Sequence, residues 1–176
     1  SQYEKAAKGD AKLYPSLELV RLEKWFLKSN TKGKMLEYAF GSGCNTIHLL
    51  KCGYDVYGLD VSKNWLKRPT KKINKIKEIK RKPKLMLLKP DSKSLPFSNN
   101  FFDNIIVMSV LSLLGSQEKV ENLFKEFKRV LKPNGKLILD INDQKSFFSG
   151  AKTKKRNIYK AKPVDKYIQT FCLSER

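Results

Sequence analysis

The sequence predicts an α/β fold, a doubly wound and mostly parallel sheet with helices on both faces. Two observations predict it. Short apolar runs alternate with amphipathic stretches five times along the chain, as parallel strands joined by right-handed helical crossovers do. The fourth run contains the unbroken apolar stretch Ile105-Ile106-Val107-Met108, as expected of a strand buried on both faces.

The first helix is expected from Pro15, with Leu19, Leu22 and Phe26 on one stripe and Val20 and Leu27 beside it. Ser29 to Gly33 ends it. A strand over Lys34 to Ala39 runs into Gly41-Ser42-Gly43, and a helix from Cys44 to Cys52 follows, capped by Gly53. Tyr54 to Leu59 reads as the second strand and stops at Asp60, completing a βαβ unit. Ile73, Ile76 and Ile79 mark a lysine-coated helix expected to start near Pro69. Leu85 to Leu88 is the third strand, broken by Pro90-Asp91, and Phe102 to Ser109 is the fourth. Ser116 is placed to cap a helix whose core stripe is Val120, Leu123, Phe124, Phe127, Val130 and Leu131. Pro133-Asn134-Gly135 turns into the fifth strand, Leu137 to Ile141. After Asp143 the pattern weakens, and only Tyr167 to Cys172 reads as a further strand. The expected division is an N-terminal helical segment (1–33), a ligand-binding core (34–142) and a lysine-rich, partly ordered C-terminal segment (143–176), all in one domain.

Bulk properties narrow the function classes. The 40% hydrophobic content suffices for a core. The longest apolar stretch, Ile105 to Leu114, is too short to span a bilayer. No signal-peptide core opens the chain, and three cysteines without a pairing pattern suit a reducing compartment, so a cytoplasmic location is expected. Cys44, Cys52 and the lone His48 lack zinc-ligand spacing, and no metal is expected. The net charge is +20, and Lys63 to Lys84 holds eleven bases and one acid. That is either a solvated lysine coat or a surface for an anionic partner such as nucleic acid. The excess of Lys over Arg and the absence of interleaved aromatics favour the coat.

The candidate chemistry gathers at the carboxyl ends of the strands, where open α/β sheets bind ligands. The Gly41-Ser42-Gly43 turn lets backbone approach a ligand closely. Asp60, 17 residues after Gly43, is placed to accept from two ribose hydroxyls, although it could equally cap the next helix. Asp91 after the third strand could accept from an adenine amine while the Ser92 N–H reaches a ring nitrogen, or both could simply form a turn. A dinucleotide and an adenosyl amino acid both fit these positions. Glu37, four residues before Gly41, favours the second, because a carboxylate there repels pyrophosphate and attracts an ammonium or sulfonium. The third glycine of the dinucleotide fingerprint is also missing from Gly41-Ser42-Gly43-Cys44-Asn45-Thr46.

These residues resemble a known family. Met35 to Thr46 and Val56 to Ser62 are similar to the first two motifs of class I S-adenosylmethionine-dependent methyltransferases. Asp91 with Leu95-Pro96-Phe97 and Phe102-Asp103 resembles the middle motifs, and Phe127 to Leu137 resembles the late helix–turn–strand segment. The resemblance covers about Lys34 to Asn142 in order and spacing. It implies a Rossmann-like sheet, S-adenosylmethionine as cofactor and methyl transfer as activity. It places Glu37 near the methionine ammonium, Ala39, Gly41 and Gly43 along methionine and ribose, Asp60 and Val61 at the ribose, Asp91 and Ser92 at adenine, and Ser109 near the sulfonium. The chain departs from the family at Ala39, which stands where the loop's first glycine belongs, and is expected to lack the sheet's last elements. No general base is identifiable; His48 lies on a helix and reads as structural, and Cys44 as a packing residue beside the cofactor. The fourth strand's end, Met108-Ser109-Val110-Leu111, does not resemble the signature of amino-base methyltransferases. A small-molecule acceptor, a metabolite or sugar, is therefore expected first. An RNA acceptor on the basic surface and a cofactor- or nucleic-acid-binding module without turnover are the rivals.

Overall fold

A computed structural model describes residues 13–27, 32–90, 92–143, 149–152, 158–161 and 169–173. Its centre is a parallel sheet of β1 (Lys34–Tyr38), β2 (Asp55–Asp60), β3 (Lys84–Leu87), β4 (Phe102–Val107) and β5 (Leu131–Leu139), in the order β3-β2-β1-β4-β5. The chain builds outward from β1 to β3, then crosses back to lay β4 on the other side of β1. Strand order therefore reverses between β1 and β4, where the loops at their carboxyl ends diverge and leave a crevice.

Side-chain alternation explains the layers. Leu36, Tyr57, Leu59, Ile105 and Val107 face one side, against Leu123, Phe127 and Val130 of α4 (Gln117–Val130). Met35, Val56, Ile106 and Ile138 face the other, against Leu19 of α1 (Leu17–Phe26), Leu49 and Leu50 of α2 (Cys44–Lys51) and Ile73 of α3 (Lys63–Ile73). The Ser116 hydroxyl accepts from Lys119 N at 3.2 Å, capping α4 as expected. Among the described residues no helix is long and apolar enough to cross a membrane.

Several expectations need correction. Helix α1 starts at Leu17, with Ser16 at its N-cap and Pro15 outside it. Phe26, expected on the core stripe, is 55% exposed, and Glu23 is buried instead, four residues after Leu19. Helix α3 starts six residues before Pro69 and contains it. Proline has no N–H to give to a preceding carbonyl, but its ring fills space beside Gly43, whose missing side chain makes the room. Ile76 and Ile79 follow α3 in turns. The region after Asp143 is more regular than sequence patterning suggested. Short strands β6 (Asn142–Asp143), β7 (Ser149–Lys152), β8 (Ile158–Ala161) and β9 (Gln169–Leu173) form a second sheet in the order β6-β9-β8-β7. Of these, β9 overlaps the strand expected at Tyr167 to Cys172, whereas β6, β7 and β8, of two to four residues, were not read from the sequence.

Arg129 at the end of α4 ties down the loop before β4. Its guanidinium donates to the carbonyls of Leu95 and Phe97 at 3.0 and 2.7 Å and to Glu126 at 2.7 Å, while Glu126 accepts from Leu95 N. This positions Leu95 and Phe97, two of the motif residues, against the aromatic cluster of Tyr57, Phe101 and Phe102.

Candidate active site

A cavity of about 610 Å³ opens at the carboxyl ends of β1, β2, β3 and β4, a size typical of small-molecule sites. The loop after β1 forms its floor. Ala39 N and Phe40 N donate to the Leu59 carbonyl at 2.6 and 3.3 Å, which pins the loop to β2. Gly43 N donates to the Phe40 carbonyl at 2.9 Å and closes the turn into α2.

Asp60 organises the wall. It is 6% exposed, accepts from Gly41 N and Ser62 N at 2.9 Å each, and lines the cavity. It thus holds the glycine turn and the entry to α3 at once, although the N-cap of α3 is Ser62 and not Asp60. A Cβ built on Gly41 meets nothing within 4 Å. Bare backbone beside a buried carboxylate is the cradle that a nucleoside needs, so the residues present fit an adenosyl ligand. The remaining walls are mostly apolar, from Tyr38, Leu59, Val61, Trp65, Leu88, Met108 and Leu113.

Of the sequence-derived site residues, Ala39, Gly41, Asp60, Val61 and Ser109 line this cavity. Glu37 does not reach its wall. Strand alternation turns it to the α2 face with Met35, where it is 3% exposed and accepts from the Thr46 hydroxyl. Burial pushes its carboxyl up to about 8; the Thr46 bond opposes this and the nearby Asp60 charge adds to it. Gly43 is likewise behind the wall, because a Cβ on it would meet Pro69 Cβ at 2.5 Å. Ser92 is exposed, its N–H donating to the Lys89 carbonyl and its hydroxyl to Ser94 O, so the expected adenine contact is not formed by that N–H; Pro90 lines the cavity instead. Asp91 lies outside the described residues. Cys44 borders the cavity and is buried, whereas His48 faces Glu23 and Cys52 elsewhere.

Trp65 and Lys119 are two of the cavity residues that sequence reading missed. Each occupies the third position of a helix that follows a cavity-facing strand or its loop. That position was the available signal, obscured for Trp65 by starting α3 too late.

Two non-glycine residues at the cavity hold left-handed backbone, Ala39 at φ 59° and Ser109 at φ 60°. Ser109 is held there by Asp140, whose carboxylate accepts from its N–H at 2.6 Å and its hydroxyl at 3.2 Å. Ala39 has a Cβ that disfavours this region by about 1–2 kcal/mol, against about 0.5–1 kcal/mol of extra unfolded-state freedom that glycine would bring. Ala39→Gly is therefore expected to raise the melting temperature by roughly 2 °C. Differential scanning calorimetry checks this, and a lower melting temperature would contradict it.

The methyltransferase domain family matches residues 36–139. The chain is 30% identical over 112 residues to YqeM of Bacillus subtilis (strain 168), covering 63% of this chain and 43% of that protein. It is 33% identical over 115 residues to the ubiquinone/menaquinone biosynthesis C-methyltransferase UbiE of Wigglesworthia glossinidia brevipalpis, again covering 63% and 43%. It thus spans less than half the length of the curated relatives it matches. A solved SAM-dependent methyltransferase from Methanosarcina mazei superposes with a TM-score of 0.72 at 18% identity, over 92% of this chain and 80% of that one, which shows the shared fold. The motifs from β1 to β5, in order and on one Rossmann-like sheet, have the same explanation as the family match: the chain belongs to the class I S-adenosylmethionine-dependent methyltransferase domain family.

Proposed function

We propose that this domain binds S-adenosylmethionine in the β1–β4 crevice and transfers its methyl group to a small molecule with an apolar body. The observation that carries the reading is Asp60, buried yet facing the cavity, beside bare backbone at Gly41. The bound cofactor supplies an electrophilic methyl on a sulfonium. Asp60 accepts from the ribose hydroxyls, Ala39 and Gly41 let the ligand approach the backbone, and Leu88 and Pro90 flank the base. Ser109, fixed by Asp140, sets the end of the cavity where the methyl faces the acceptor. Positioning and exclusion of water by Val110, Leu113 and Leu114 supply most of the rate. These apolar walls suit a ring or chain better than a sugar. Lys119, the one cationic side chain among the described lining residues, suits an anionic or phenolic group on it. The names of two relatives, a demethylmenaquinone methyltransferase and a ubiquinone/menaquinone C-methyltransferase, point the same way.

One observation favours an RNA acceptor as the second reading. Helix α3, with Lys63, Lys67 and Lys71 exposed, runs from the cavity rim at Trp65. Incubation with S-adenosylmethionine and a panel of phenols, quinols, carboxylates and short RNAs distinguishes them by S-adenosylhomocysteine released. Turnover on apolar small molecules supports the first reading. Labelling of RNA that falls steeply with salt supports the second. Cofactor binding without product on any acceptor would overturn both and favour a binding module.

Glu37 adds a pH signature. Its folded value, about 8, lies above the ordinary 4.5, so its contribution to stability is complete below pH 4.5 and is lost as pH rises toward 8. Glu23, Asp103 and Glu126 are held below their ordinary values, so their contributions are lost only under acid, outside that window. A cation on the glycine loop favours the Glu37 carboxylate, so binding below pH 8 expels a proton. Affinity for S-adenosylmethionine, taken as a ratio to Glu37→Gln, is expected to rise about tenfold from pH 6.5 to 8. A flat ratio in calorimetry would remove Glu37 from the ammonium.

A further inference from the structure

Away from the cavity, α1 and the last turn of α2 bring together three side chains of metal-ligand type. Glu23 projects from α1, and His48 and Cys52 lie one turn apart at the end of α2. A ligand atom from each falls within 4.8 Å of the others. His48 Nε2 and Cys52 Sγ are 3.6 Å apart. A tetrahedral zinc ion with Zn–N of about 2.05 Å and Zn–S of about 2.3 Å holds such a pair about 3.6 Å apart, so their separation already suits a shared ion. Chain spacing could not show the site, because its third member comes from a different helix.

We propose that Glu23, His48 and Cys52 form a binding site for a borderline-soft divalent cation of the zinc class. The ion replaces the Cys52 thiol proton, which leaves to solvent, and bonds to the thiolate, the His48 imidazole and one Glu23 oxygen; water completes the tetrahedron. The locus already favours positive charge. The Lys32 ammonium lies 2.9 Å from Glu23 Oε1, 3.3 Å from the Tyr54 hydroxyl and 4.7 Å above the Tyr54 ring. Its side chain is 29% exposed, so it can swing into solvent when the ion enters. Tyr54, which donates to Glu23 Oε1 at 3.0 Å, stays to orient the carboxylate. The bound ion ties α1 to α2, which begins at the cofactor loop, and so braces the floor of the cavity.

The test is titration of the full chain with Co²⁺, followed by its thiolate charge-transfer absorption, and with Zn²⁺ by calorimetry. The expected result is one ion per chain, a thiolate–cobalt band, and a melting temperature that rises with free metal. His48→Gln and Cys52→Ser are each expected to weaken binding by about 100-fold or more, beyond what loss of an outer partner costs. Cys44→Ser leaves the band in place, and Lys32→Ala, which removes the competing cation, tightens binding. Circular dichroism on each variant separates loss of ligand from loss of fold. No cobalt–thiolate band, a band that survives Cys52→Ser in a folded protein, or weaker binding in Lys32→Ala would overturn the assignment and leave the cluster as a hydrogen-bonded ion pair joining two helices.

Discussion

Asp60→Ala is expected to weaken binding of S-adenosylmethionine by roughly 100-fold, about 3 kcal/mol, the scale of two hydrogen bonds to a charged carboxylate. Asp60 is the buried acid that lines the cavity among the described residues, and its two oxygens accept from the backbone N–H groups of Gly41 and Ser62, so ligand and loop are expected to share it. Alanine also leaves those two N–H groups without an acceptor, so some stability is lost with the affinity. Asp60→Asn separates the two effects. It keeps an acceptor for one N–H and the side-chain volume, so the fold should stay near native while the charge that suits a cationic ligand is gone. Calorimetry on both variants checks this, and native affinity in either folded variant would remove the ribose assignment.

The two glycines of the turn are expected to behave oppositely. Gly43→Ala places a Cβ 2.5 Å from Pro69 Cβ and 3.2 Å from Pro69 Cα, on backbone at φ 78°. Left-handed strain of about 1–2 kcal/mol adds to about 1–3 kcal/mol of overpacking against a proline ring that cannot rotate away. The sum, about 2–5 kcal/mol, is a large share of the roughly 5–15 kcal/mol that a domain has. Chemical denaturation is expected to show the loss even without ligand. Gly41→Ala carries only the strain, because its Cβ points into open space. That variant should fold nearly as well as the parent and bind S-adenosylmethionine at least tenfold more weakly. Equal stability losses in the two variants would contradict the division of labour.

This division was hidden in the sequence, where Gly41-Ser42-Gly43 reads as one ligand loop. Only the packing of α3 shows that Gly43 accommodates Pro69. The sheet was legible because strands long enough to alternate, such as Asp55–Asp60 with Val56 facing one layer and Tyr57 and Leu59 the other, print their geometry directly in residue order. Helix faces were legible where burial followed hydropathy, as at Leu123, Phe127 and Val130. They were not legible at α1, where Glu23 is inside because Tyr54 and Lys32 satisfy its carboxylate, and those partners lie outside the helix. At the site, Asp60 and Gly41 stood out because their chemistry is local. Glu37 was expected at the loop but not as turned toward Thr46 of α2, a matter of strand parity that the motif's spacing already contained. The juxtaposition of Glu23, His48 and Cys52 depends on helix packing alone.

The most direct test of the central claim is a crystal structure of the chain with S-adenosylhomocysteine. The ribose hydroxyls are expected within hydrogen-bonding distance of Asp60, the base beside Leu88 and Pro90, and the sulfur directed toward Ser109. A nucleoside bound outside the β1–β4 crevice, or a cavity that admits a pyrophosphate-bearing dinucleotide and excludes S-adenosylhomocysteine, would contradict it.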